Sequence, residues 1–237
     1  MKRMIGVSWF LAFAVVLMPF VSRAQEGSSF GAFVAMPVGS FKSTDIKDGG
    51  FAKTGWGLVF DSKSRAKYFP ENLSLYVHTT YQWNEMDNEK ISAAFTESLG
   101  YRTVVGESRY APLLTTLGPS YRIPLTEKLQ LVLNGTAGIM FNNTRAFGIR
   151  VYDNSGNEII KEAVNFDNNV AFAYTAGLEF RFPLIKDIIG GALYIDYTGA
   201  KQNTTLTFDT VDPVKSFQKL QYLNWGFKVT VPKKETK

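Results

Sequence analysis

The stretch NVAFAYTAGLEFRF, residues 169–182, changes character at every step. Val170, Phe172, Tyr174, Ala176, Leu178, Phe180 and Phe182 fall on one parity, and Asn169, Ala171, Ala173, Thr175, Gly177, Glu179 and Arg181 on the other. Successive side chains of a strand point to opposite faces, so the segment reads as a strand with one large apolar face and one small, polar or charged face. The alternation runs well past the average globular strand of roughly 5–6 residues. The same period recurs along the chain and predicts eight strands, over 29–38, 51–61, 72–84, 109–123, 128–142, 168–183, 189–200 and 219–231.

Connector lengths organise these strands. Pro124 to Glu127 and Leu184 to Ile188 are tight, 39–50 and 62–71 are intermediate, and 85–108, 143–167 and 201–218 are long. An even number of strands with short turns at one end and long loops at the other is the plan of a transmembrane β-barrel. With the first strand running outward from the periplasm, the tight turns fall inside and the three longest connectors outside. The expected fold is all-β, an eight-stranded antiparallel transmembrane β-barrel with short periplasmic turns and long outer loops, occupying residues 25–237.

Alternation also suits a soluble sandwich, which buries its apolar face. Aromatic placement separates the two. In the barrel frame Phe60, Tyr121, Phe180 and Phe182 point outward near the periplasmic rim, and Tyr81, Trp83, Phe141 and Tyr197 near the outer rim. Two such girdles are what membrane interfaces attract. Trp56 and Trp225 depart from this scheme, falling nearer mid-strand. Leu131 and Phe172 share the apolar parity and are expected to meet lipid.

The N-terminus, MKRMIGVSWFLAFAVVLMPFVSRAQEG, places Lys2 and Arg3 before an apolar run from Ile5 to Val21, then Ser22-Arg23-Ala24. This is the pattern of a secretory signal peptide over 1–24, cut after Ala24. The 237-residue chain has a formal charge of +5; removing 1–24 takes away Lys2, Arg3 and Arg23 and no acid, leaving +2. The remaining basic residues are scattered, so no nucleic-acid partner is expected. The absence of cysteine excludes disulfides and thiolate metal sites.

The inward parity collects Lys53, Asp61, Arg122, Glu179, Arg181, Asp196 and Lys228. An eight-stranded barrel is just filled by side chains. Arg122, Glu179, Arg181, Asp196 and Lys228 are therefore predicted to form a lumen charge cluster that acts as a plug. Glu179 is expected to pair across the lumen with Lys228 and Arg122 rather than with Arg181 on its own strand. His78, the single histidine, also points inward. Ser74 is about 13 Å away at ~3.3 Å per residue, and one histidine makes a poor metal site. No catalytic, cofactor or metal residues are expected, and no enzymatic activity.

Two outer connectors carry structure of their own. In EMDNEKISAAFTESLG, Ile91, Phe95 and Leu99 recur every four residues, Asp87 or Asn88 can cap and Gly100 can stop a short helix. In FGIRVYDNSGNEIIKEAV, Ile149 and Val151 precede a turn sequence at 153–156, and Ile159 and Ile160 follow. That is a hairpin reaching beyond the membrane, with an edge open to strand addition.

On the segments GAFVAMPVGSF, LLTTLGPSYRIPLTEKLQLVLNGTAGIMF and AFAYTAGLEFRFPL the chain resembles the small eight-stranded outer-membrane β-barrels of Gram-negative bacteria, the group typified by the OmpA transmembrane domain and OmpX. The resemblance spans residues about 28–232. It implies residence in the cell outer membrane, no cofactor, and a structural or surface-interaction role. The outer loops would face a protein partner, outer-membrane lipid or lipopolysaccharide. Narrow transport of a small or apolar solute is the second reading, and a lipid-modifying barrel enzyme the third.

Overall fold

The two-residue alternation folds into strands that wrap until the last meets the first. The structure, a computed structural model, describes residues 25–46, 49–65, 68–167, 170–185, 189–210 and 212–232, so the signal segment 1–24 lies outside the described residues. The elements are β1 (Gln25–Pro37), β2 (Gly55–Ser64), β3 (Leu73–Glu85), α1 (Asn88–Leu99), β4 (Arg102–Val105), β5 (Arg109–Pro124), β6 (Gln130–Thr144), β7 (Phe147–Tyr152), β8 (Glu158–Phe166), β9 (Val170–Ile185), β10 (Ile189–Thr207) and β11 (Val214–Pro232). Eight of these strands form an antiparallel ring in the order β1, β2, β3, β5, β6, β9, β10, β11, closed by β11 against β1. Closure leaves no unpaired backbone edge in the hydrocarbon region, the condition a bilayer imposes.

The ladder fixes the shape of the ring. Starting at Trp83 on β3, successive partners are Trp56, Val34, Trp225, Ile195, Leu178, Leu133, Tyr121 and then Leu73, back on β3 but ten residues lower. With eight strands about 4.8 Å apart and ~3.3 Å per residue, that stagger tilts the strands by about 40° and gives a backbone radius of about 8 Å. The interior is wide enough for side chains and little else.

Tilt also sets each residue's height. The row from Trp83 descends steadily around the wall, so Trp56 stands just below Trp83 at the outer rim, and its ring stacks on Trp83 at 4.4 Å. Trp56 thus belongs to the outer girdle, because β2 begins at Gly55 rather than at 51 and Trp56 is its second residue. Phe60 pairs with Phe30 and Thr79, midway along β3, and sits at mid-height rather than at the periplasmic rim.

The apolar parity faces outward. On β9, Val170, Phe172, Tyr174, Leu178 and Phe180 are exposed, while Ala171, Ala173, Thr175 and Glu179 are buried. The same holds for Leu117, Leu133, Ile139, Leu193, Ile195, Trp225 and Phe227 around the ring. A sandwich would bury these side chains. An apolar surface that encircles the molecule needs lipid for its solvent.

Beyond the outer rim the chain is more ordered than its connectors foretell. The 201–218 segment is mostly strand, because β10 and β11 pair up to Leu206 and Val214. Its residues, KQNTTLT on β10, are polar and lie above the level where greasy alternation is needed. The hairpin of β7 and β8 forms as expected, turning at 153–157. Helix α1 starts where its cap is, with the Asp87 carboxylate accepting from the Lys90 backbone N–H, and ends at Gly100 in the left-handed conformation (φ 71°). Strand β4 was not legible in the sequence. It pairs with β7 to make a three-stranded outer sheet, and its far edge is covered by α1, whose Thr96 and Ser92 hydroxyls accept from the Thr103 and Val105 backbone N–H groups.

Candidate functional site

Side chains fill the lumen at three successive levels. The lowest is ionic. Glu179 on β9 is fully buried, and its Oε2 accepts from Arg181 Nε and Nη2 at 2.9 and 2.8 Å and from Lys63 Nζ at 3.3 Å. Its Oε1 accepts from Asn134 Nδ2 at 3.0 Å, Lys228 Nζ at 3.1 Å and the Tyr76 hydroxyl at 3.3 Å. Lys228 also reaches Asp61 Oδ2 at 2.7 Å and lies over the Tyr194 ring at 3.7 Å. Asp61 Oδ1 accepts from His78 Nδ1 at 2.8 Å, and His78 Nε2 is 3.9 Å from Asp196 Oδ2. Three carboxylates (Asp61, Glu179, Asp196) meet three basic chains (Lys63, Arg181, Lys228) and His78. Buried ions survive only with such pairing. Gly177 makes room for one of them, since a Cβ there would collide with the Asp196 carboxylate.

The middle level is built of threonine. Thr116 bonds Thr136 at 2.7 Å and Thr175 bonds Thr198 at 3.3 Å, beside Phe33 and Val59. The upper level is aromatic. The connector after β1 folds back into the mouth as a short 3-10 turn, Gly39–Phe41, and seats Phe41 between Tyr110 and Tyr222 at ring distances of 4.8 and 4.9 Å. The Tyr110 hydroxyl donates to the Gly50 carbonyl at 2.8 Å, and Asn84 Nδ2 donates to the Lys53 carbonyl at 2.9 Å, which fastens the connector. Phe51 holds a left-handed backbone (φ 49°) there. That conformation costs of order 1–3 kcal/mol for a non-glycine residue and persists where packing over-determines it. The Phe51 side chain is buried.

The structure brings Glu179, Arg181, Asp196 and Lys228 together. It does not bring Arg122, which stands at the periplasmic mouth and donates to the Glu71 carbonyl at 3.0 Å. The expected preference for Arg122 over Arg181 is reversed. Arg181 leans along its own strand to chelate Glu179, and Arg122 lies below the network. Lys53, given the inward parity, is instead half exposed at the outer mouth, 3.6 Å from Asp87. Phe51 interrupts the alternation ahead of Gly55, so Lys53 precedes β2 and inherits no lumen face. Lys63, Tyr76, His78 and Tyr194 complete the network. Tyr76, His78 and Tyr194 were readable as inward by parity. Lys63 lies beyond the predicted strand end at 61, whereas β2 runs three residues further, to Ser64. Below the network an open vestibule of about 720 Å³ is lined by Lys63, Arg122, Lys128 and Arg181 with Glu127. Among the described residues no cluster of three or more His, Asp or Glu side chains suits a metal ion.

Among the girdle residues, Phe60, Tyr81, Tyr121, Phe141 and Phe180 are exposed on the outer surface, and Trp83, Phe182 and Tyr197 are partly covered by neighbouring rings. Tyr174 and Phe172, both exposed, extend the outer band.

No family model and no curated protein matches this sequence. Solved structures do. The crystal structure of the outer membrane protein OprG from Pseudomonas aeruginosa superposes with a TM-score of 0.52, at 12% identity over 89% of this chain and 98% of that one. This chain has the fold of the small outer-membrane β-barrels. The barrel is also similar to AlkL, an outer membrane protein solved by solid-state NMR in lipid bilayers (TM-score 0.46, 16% identity, 90% and 92% covered). Ail of Yersinia pestis, crystallised with the heparin analogue sucrose octasulfate, matches with a TM-score of 0.37 at 14% identity over 86% and 98%. The barrel's encircling apolar surface and this fold place it in the outer membrane, in contact with outer-membrane lipid.

The outer cap has its own electrostatics. Burial pushes the Asp87 carboxyl up, but the backbone N–H and ammonium of Lys90 and the Lys53 ammonium outweigh it and hold Asp87 below its ordinary value. A carboxyl lowered on folding stabilises the fold above the unfolded value, about 3.9, and that contribution fades as pH falls through the folded value. The Thr210 hydroxyl and the Asp209 and Thr210 backbone N–H groups lower Glu162, which ties β8 to the β10–β11 turn. Acidification below about pH 4 is therefore expected to loosen α1 and the outer sheet before the barrel wall. Limited proteolysis across 85–108 should accelerate there while the wall keeps its strand signature in circular dichroism. Loss of both together would contradict this order.

Proposed function

We propose that this barrel works by presentation rather than passage: it is a structural or surface-interaction protein whose outer elements meet a partner or envelope lipid. The observation that carries the reading is the filled lumen, in which Phe41, Tyr110 and Tyr222 cap a threonine layer and an ion-paired layer. The structured cap of α1, β4, β7 and β8 supports it, because loops that only joined strands would not need a covered sheet edge. An enzymatic role has little support. His78 is fully buried between Asp61 and Asp196, away from lipid and solvent.

Transport of a small solute through the lumen would require the Phe41 turn to leave the mouth and the Glu179 network to part. Planar-bilayer recording separates the two readings. The wild type is expected to show no stable ohmic conductance, and Phe41→Ala alone none either, since the ionic layer remains beneath it. A steady open channel in the wild type would replace presentation by transport.

A further inference from the structure

The outward face of the β10–β11 hairpin changes character within two outward rows. It is apolar or aromatic up to Tyr197 and Leu223, a directly paired row. Tyr174 lies across Gly199, and Gln221 donates to the Tyr197 hydroxyl at 2.9 Å, so this is the outer girdle. Two outward positions above Tyr197, past the Gly199–Gln221 row, Lys201 on β10 stands directly opposite Lys219 on β11. Two outward positions above Lys219 comes Lys215, opposite Thr205. All three lysines are exposed. Lys201 also stands one residue past the Ala200–Ala173 pair, abreast of Phe172, which is 69% exposed on the lipid parity.

Directly opposed like charges destabilise a β ladder. A lysine at a membrane rim that merely snorkels needs no second lysine facing it. Among the described residues none of the three has a carboxylate partner. Lys201 rests instead over the Phe217 ring at 4.8 Å. Asp209, in the turn that joins the two strands, accepts from the Ala163 backbone N–H on β8 at 3.3 Å, and Asp167 joins this hairpin through its backbone N–H to the Thr205 carbonyl. A multivalent anion held between the two ammonium groups would convert the Lys201–Lys219 juxtaposition from repulsive to favourable. The row's height, immediately above an aromatic girdle, is the headgroup level of the outer leaflet. The apolar surface below it at Phe172 and Tyr174 suits acyl chains.

We infer that Lys201, Lys219 and Lys215 form a docking site for the phosphate groups of an outer-leaflet phosphorylated glycolipid, whose acyl chains lie along Phe172 and Tyr174. The inference rests on the presentation reading and gives it a lipid partner.

The test uses the purified barrel in a neutral detergent, with bound lipid measured by native mass spectrometry. Bisphosphorylated lipid A, the same lipid dephosphorylated, and inorganic pyrophosphate are the probes. Lipid A should bind the wild type at least about tenfold more tightly than its dephosphorylated form, and Lys201→Gln/Lys219→Gln should weaken it by about the same factor. A control pair of equal charge, Lys128→Gln/Lys161→Gln, should leave binding unchanged. Because the double substitution removes a repulsive pair, its unfolding temperature without lipid should not fall. Equal affinity for the two lipid forms on the wild type, which needs no variant, overturns the site. So does equal weakening by the control pair. Pyrophosphate binding as tightly as lipid A would make it a site for soluble phosphate and overturn the lipid assignment. Conductance is measured separately, so failure here leaves the filled-lumen reading standing, and an open channel does not decide lipid binding.

Discussion

Glu179→Gln is expected to lower the unfolding free energy by about 3–5 kcal/mol, the range for removing one partner of a buried ion network. The substitution keeps the size and removes the charge on which Lys63, Arg181 and Lys228 converge. The surplus of positive charge is left among packed side chains inside a backbone radius of about 8 Å. A double-mutant cycle on urea unfolding into vesicles checks the cause. Combined with Lys63→Met, the loss should fall short of the sum of the single losses, since the second change removes a cation that the first left unpaired. Additive losses would mean that Glu179 and Lys63 do not interact.

Ile195→Arg is expected to cost about 2–4 kcal/mol, and Leu131→Arg roughly 0–1 kcal/mol. Both residues face lipid. Ile195 stands at the midpoint of the row that falls from Trp83 to Leu73, while Leu131 lies two residues below Leu133 toward the periplasmic rim. An arginine near the rim reaches headgroups, and one at the midplane does not. Unfolding from vesicles measures both, and equal penalties would contradict the heights set by the tilt.

That contrast shows which information the chain carries locally. Which way a side chain faces is a parity, and parity is written in adjacent residues. Val170 to Phe182 were legible as a lipid face, and the Asp87 cap, Gly100 stop and 147–166 hairpin were legible for the same reason. Height and partnership depend on the ten-residue stagger, which no single segment contains. Parity alone therefore puts Phe60 at a rim when it is mid-height and pairs Arg122 with a carboxylate above its reach, while Trp56 stands apart from the girdle only as long as its strand is started at 51 instead of Gly55. Strand β4 escaped because four residues offer too little alternation to read. The inward fold of Phe41 escaped because nothing near it in the sequence names Tyr110 and Tyr222 as its walls.

The seam between the first and last strands has a consequence for biogenesis. Lys228, carried on β11, is the permanent cation bound to Asp61 and one of three bound to Glu179. Glu179 meets Arg181 on its own strand, and Lys228 one hairpin away, without the seam. The Lys228–Asp61 link joins β11 to β2 and so forms only when β11 zips against β1, which reserves that part of the network's stabilisation for closure. A half-wrapped sheet lacks that part, and the chain is driven to finish the cylinder or to remain open to the machinery that assembles it.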